Sequence, residues 1–282
     1  MRPNLKPPRT ANALQARVDE YANKTDGRLG VFVGIPTENG FDTIASHSSE
    51  AVFASASLIK LPILYALFDE YWDSKSRLAQ EVGLSDTNMV AGSGLLHLLS
   101  EHPYTLDDLA RAMIAISDNA ATNQLIDTLG MERIERAVSD LGMSETRLGR
   151  KMMTTGGGSD SSNLEESPVN TTSPRDAARF YRNVVRRESL SVPAYESLEV
   201  PLYAQKDASM AARYLPYDVE LGHKTGWLTH AALDAGVLHC RDGEPIVFAL
   251  FVDRLAYAGD GTDIIAELGL AIHGWSPNDC GL

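Results

Sequence analysis

The sequence predicts an α+β fold, layered α/β/α, with an antiparallel sheet built from both chain ends around an all-helical insert. Two observations carry this. Strand-like runs occupy the first fifth and the last quarter of the chain, and the long stretch between them repeats its apolar residues at helical spacing. At 282 residues the chain is long enough to bury a substantial core as one catalytic unit. The expected division places residues 1–56 and 190–282 in a sheet-bearing subdomain and 57–189 in a helical one, with a cleft between them.

In order along the chain, Leu14, Val18 and Tyr21 mark a first helix over Ala11–Ala22. Gly30-Val31-Phe32-Val33-Gly34-Ile35 and Asp42-Thr43-Ile44-Ala45-Ser46 read as strands around a turn at Glu38-Asn39-Gly40. An apolar helix follows, holding Ser57 and reaching about Trp72; Pro62 near its start predicts a small kink. Thr105 with Asp107 and Asp108 announces a capped helix that turns Leu109, Met113 and Ile116 inward. Further helices are expected from near Ser117 to Gly130, over Met131–Leu141 and from Pro174 to about Arg187. Between them, Thr154–Ser167, with Gly156-Gly157-Gly158, is a polar loop longer than most ordered connections. Strands over Glu220–Trp227, Asp234–His239 and Pro245–Val252, then a helix over Thr262–Ile272, complete the chain.

Composition narrows the function. A formal net charge of −13 disfavours nucleic acid, whose phosphates need clustered Lys and Arg. No apolar run is long enough to span a membrane. Cys240 and Cys280 offer no metal spacing; they permit at most a single bridge. No cofactor is implied, the expected partner is a small-molecule substrate, and the oligomeric state is left open with a monomer expected. Met1-Arg2-Pro3-Asn4-Leu5-Lys6 lacks a secretory apolar core, so the expectation is cytoplasmic if Met1 is the native start and secreted or periplasmic if a signal peptide was removed.

The chemistry starts from Ala56-Ser57-Leu58-Ile59-Lys60. A serine and a lysine at this spacing share one helix face, one turn apart, so a neutral lysine amine can take the hydroxyl proton. The flanks, Val52-Phe53-Ala54 and Leu61–Phe68, are apolar, and burial lowers a lysine's pKa toward a useful base. Ser117-Asp118-Asn119 falls at a break between helices, and Lys224-Thr225-Gly226 on a strand where glycine permits close approach.

This ordered trio resembles the class A β-lactamase and penicillin-binding-protein superfamily of serine acyl enzymes, over roughly residues 25 to 275. Thr146-Arg147-Leu148-Gly149-Arg150 and Thr171-Thr172-Ser173-Pro174 resemble the two ends of that family's omega loop, and Gly92-Ser93-Gly94-Leu95 and Lys151-Met152-Met153 resemble a branch known only as serine hydrolases. The resemblance implies a β-lactamase/transpeptidase-like fold and an acyl-Ser57 intermediate formed from β-lactams or related amides and esters. It implies Lys60 as proton acceptor, Ser117 as relay to the leaving group, and Lys224 as a second charge that depresses the Lys60 pKa. Asn119 would hold the substrate amide and orient Lys60, and Thr225, beside Gly226, would bind a substrate carboxylate. The oxyanion would rest on the backbone N–H groups of Ser57 and Trp227.

The pattern also departs from the family. The glutamate that activates the deacylating water falls, counting from Arg150, on Met152, whose thioether is no base. Asn170 replaces the aspartate that pairs with the arginine, and Gly149 replaces another. Glu165 or Glu166, inside the long loop, is the substitute base to consider; as the bland alternative, both are solvated loop carboxylates. Otherwise deacylation is slow, which brings in a D,D-carboxypeptidase, an esterase, or a sensor that acylates without turnover. His223 and His230 flank the Lys-Thr-Gly strand, where a packing role is expected.

Overall fold

In the computed structural model, residues 8–73, 75–153, 169–239 and 243–275 are described. Helix α1 (Ala11–Lys24) starts at Thr10, whose hydroxyl accepts from the Ala13 N–H. Strands β1 (Arg28–Thr37) and β2 (Gly40–His47) form the expected hairpin. Phe53–Ala54 (β3) leads into a 3₁₀ turn over Ala56–Ile59, then α2 (Lys60–Tyr71) and the short α3 (Lys75–Leu78). The 3₁₀ turn replaces the first turn of the single helix expected here. Pro62 therefore lies in the first turn of α2, where its missing N–H costs little.

Glu81–Val82 (β4) pairs with Tyr104–Thr105 (β5), and Thr105 and Asp108 close a reciprocal capping box on α4 (Leu106–Ala115). Helices α5 (Asn119–Leu129) and α6 (Met131–Asp140) follow, and Thr171–Thr172 (β6) pairs back to β3. Next come α7 (Pro174–Arg186) and α8 (Val192–Tyr203). Helix α8 is absent from the sequence reading; Pro193 falls in its first turn, where proline is tolerated, whereas Pro201 lies inside it and forfeits one backbone bond. Strands β7 (Glu220–Leu228), β8 (Ala231–His239) and β9 (Ile246–Asp253) precede α9 (Ala258–Trp275). That last helix starts earlier than its glycines suggest. Gly261 lets it approach the sheet so closely that a Cβ there would lie 2.8 Å from Leu255 and 3.2 Å from Ala232.

The central sheet is antiparallel, in the order β2-β1-β9-β8-β7, so strands from the two chain ends meet where β1 pairs with β9. Both faces are covered, which explains why β9 reads as an unbroken apolar run rather than an alternating one. On one face Val31, Val33, Phe248, Leu250 and Val252 pack against α1 and α9. On the other, Phe32, Val247, Ala249 and Phe251 join the larger core with α2, α4, α5 and α7. The two-residue period of the pleat sends neighbours to opposite cores. No described helix is long and apolar enough to cross a membrane. The Thr154–Ser167 loop, including Glu165 and Glu166, and Cys240, Arg241 and Cys280 lie outside the described residues.

Candidate active site

Ser57 sits in the 3₁₀ turn between β3 and α2, against strand β7. Ala56, just before it, takes a left-handed φ of 45°, a conformation a residue with a Cβ adopts only under constraint. Close by is Gly226, where a Cβ would lie 3.0 Å from the Ala56 Cβ and 3.3 Å from the Ser57 nitrogen. Glycine thus allows β7 to lie against the Ser57 backbone, putting the Ser57 and Trp227 segments side by side.

Lys60 is fully buried, and its amine is surrounded by acceptors. Nζ lies 2.7 Å from the Ser117 carbonyl, 3.0 Å from the Ser117 Oγ and 2.9 Å from the Asn119 Oδ1. The Ser117 hydroxyl in turn lies 2.9 Å from the Ser57 Oγ. Ser117 therefore stands between the serine and the lysine, where the motif alone pointed to a direct Ser57–Lys60 contact. Among the described bonds of Lys60 none goes to Ser57, because Lys60 begins α2 with its side chain directed toward the α4–α5 junction. Burial is the main force pulling the Lys60 pKa well below its ordinary value; the Lys224 charge adds to it and Asp118 opposes it.

The junction is held by Asp118, to which the motif reading gave no task. Ser117 has a left-handed φ of 56°, and Asp118 caps α5 by accepting from the Ala121 N–H at 2.9 Å. Its other oxygen accepts from the N–H groups of Leu95 and Leu96 at 2.6 and 2.8 Å. At Gly94, whose φ is 91°, a Cβ would collide with Asp118 at 2.2 Å. A cap residue ahead of a helix was the available signal; its second set of partners was invisible without the fold.

Lys224 is also fully buried, its amine donating to the Thr225 carbonyl at 2.7 Å. Burial pulls its pKa down to about 7, against the opposing pull of Asp234 and Asp207. His223 does pack, with Nδ1 3.0 Å from the buried Asp234, which also accepts from the Ala211 N–H. His230 Nδ1 lies 2.9 Å from the Leu255 carbonyl. Trp227 is 45% exposed, and its indole N–H donates to Asp207 at 2.8 Å. Thr225 is buried, and its hydroxyl favours the charged form of the same carboxylate.

The Met152 backbone is clamped by Asn123: its N–H donates to Asn123 Oδ1 at 2.7 Å, and its carbonyl accepts from Nδ2 at 3.0 Å. Asn170 Oδ1 accepts from the N–H groups of Gly149 and Arg150, and its Nδ2 donates to the Arg150 carbonyl at 3.0 Å. The amide makes a donor bond that an aspartate could not, which accounts for asparagine here.

An antiparallel sheet with a buried lysine, two serines and a strand-borne Lys-Thr-Gly defines a serine acyl-transfer enzyme class. The model of the β-lactamase enzyme family matches residues 12–275, so this chain belongs to that family and is a serine hydrolase. It is 29% identical over 244 residues to β-lactamase AST-1 of Nocardia asteroides, covering 86% of this chain and 76% of that protein. It is 26% identical over 270 residues to CTX-M-97 of Escherichia coli, covering 94% and 90%. Among solved structures, the β-lactamase of Sphaerobacter thermophilus DSM 20745 superposes with a TM-score of 0.80 at 29% identity, covering 92% of this chain and 94% of that one. PBP-A shares the fold with a TM-score of 0.79 at 24% identity, over 95% and 97% of the two chains.

Proposed function

We propose that the enzyme hydrolyses β-lactams or related amides and esters through an acyl-Ser57 intermediate, in a cleft between the sheet-bearing subdomain (1–56 and 190–282) and the helical one (57–189). The observation that carries this reading is the continuous chain from Ser57 Oγ to Ser117 Oγ to Lys60 Nζ, with links of 2.9 and 3.0 Å. A neutral Lys60 donates to the Ser117 carbonyl and Asn119, leaving its lone pair for the Ser117 hydroxyl. As the Ser57 oxygen bonds to the acyl carbon, its proton passes to Ser117, while the Ser117 proton moves to Lys60. Collapse of the tetrahedral adduct breaks the bond to the leaving group, which takes a proton back through Ser117. Backbone N–H groups of Ser57 and Trp227 hold the oxyanion, each worth roughly 3 kcal/mol. Asn119 orients Lys60 and holds the substrate amide, Lys224 supplies the nearby charge, and Thr225 and Gly226 line the strand along which substrate lies.

Deacylation is the weak half of this cycle. Met152 offers a thioether where the family's resemblance places a carboxylate, which favours a long-lived adduct and keeps two further readings open. One is a D,D-carboxypeptidase or esterase, and the other is a sensor without turnover. Glu165 or Glu166 remains the proposed substitute base.

Intact-protein mass followed over time after mixing with benzylpenicillin, beside a Ser57→Ala control, tests this. A Ser57-dependent adduct that decays slowly into hydrolysed penicillin is the expected result. Rapid decay indicates an efficient substitute base, and the absence of any Ser57-dependent adduct overturns the reading.

A further inference from the structure

Asp207 is a half-buried carboxylate beside the reactive strand that the proposed cycle does not use. Its Oδ2 accepts from the Trp227 indole N–H at 2.8 Å, while Oδ1 accepts from the Ser209 N–H at 3.0 Å and the Ser209 hydroxyl at 2.5 Å. The Thr225 hydroxyl favours its charged form, and Lys224 feels that charge. Burial works against ionisation, but the bonds from Ser209 and Trp227, with the smaller effect of Thr225, outweigh it and hold the carboxyl below the usual range. Asp207 is therefore an anion at neutral pH.

The consequence follows from the position of these donors. Thr225 and Trp227 lie on the same strand as Gly226, which touches the Ser57 backbone. A substrate group reaching past Ser57 along β7 comes beside Trp227, whose indole N–H already serves an internal carboxylate. A second anion there would have to displace Asp207 from that N–H or lie beside a like charge. A neutral group has no such repulsion, and a cation gains a partner.

We propose that Asp207 is a specificity-determining residue that turns the Thr225–Trp227 end of the cleft against carboxylate-bearing substrates and toward acyl compounds neutral or cationic at that end. This rests on Ser57 being the nucleophile. It gives weak β-lactam turnover a second cause, one acting on acylation rather than on release.

The test compares benzylpenicillin with its methyl ester, two compounds that share a reactive carbonyl and differ in that one charge. Rates of Ser57 adduct formation are measured by mass in the wild type, in Asp207→Asn and in a Ser57→Ala control. The ester acylates the wild type faster than the acid, and Asp207→Asn raises the acid-to-ester rate ratio by about tenfold. Asp207→Thr, which also removes the charge, raises the same ratio and stands in should the amide variant fail to fold. An unchanged ratio with Ser57-dependent adducts intact overturns the role of Asp207 alone. Absence of a Ser57-dependent adduct from both compounds overturns the nucleophile assignment, and this proposal with it.

Discussion

The segment that carries Ser57 and the segment that carries Met152 are built with similar tools and end in different chemistry. Both use asparagine amides as clamps: Asn119 accepts from the Lys60 amine in one, while Asn123 and Asn170 fix the backbone of residues 149–152 in the other. On the Ser57 side the clamps converge on a titratable amine whose neutral form burial favours. On the Met152 side they hold a thioether, which neither accepts nor gives a proton. A loop's scaffolding is built independently of the side chain it presents, so the proposed formation and release of an acyl-enzyme can be tested separately.

The contrast is broken most severely from the Ser57 side. Lys60→Met, similar in length and unable to accept a proton, should slow single-turnover acylation by about 10²–10⁴-fold with the fold retained. Acylation that survives this change would move the base elsewhere. In the other segment, Met152→Glu should speed decay of the penicillin adduct by about 10²-fold, read from the same mass time course. Unchanged decay with normal acylation would mean that water is activated from another quarter.

Two pH experiments sharpen the electrostatic half. With the neutral Lys60 amine as the proposed working form, acylation should rise with pH through its lowered pKa and then level off. Lys224→Ala removes a charge that depresses that pKa, so the rise should move to higher pH in stopped-flow profiles. The same residue leaves a mark on stability. Lys224 titrates at about 7 in the folded chain and near 10.4 when unfolded, so between those values the unfolded chain binds the extra proton. Its contribution to stability therefore rises with pH across that window, and urea midpoints of Lys224→Met should show a flatter rise than those of the wild type. The smallest effect belongs to Asn170→Asp, which loses the donor to the Arg150 carbonyl and should cost about 1 kcal/mol in urea unfolding without altering acylation.

What the chain alone determined is local and periodic. Ser57 and Lys60 one turn apart, an apolar run at β9, a threonine cap before α4 and a glycine on β7 each follow from spacings set by helix or pleat, so they could be read without a structure. Tertiary structure decided which of these groups touch. Ser117, 60 positions from Ser57, is inserted between it and Lys60 by the α4–α5 junction, and Asp118 ties that junction to Leu95 and Leu96. Asp207, 20 positions from Trp227, meets its indole N–H because the chain returns beside β7. The physical reason is range: helix and strand periods act over a few residues, whereas a buried hydrogen bond is decided by whichever packed elements bring its donor to its acceptor.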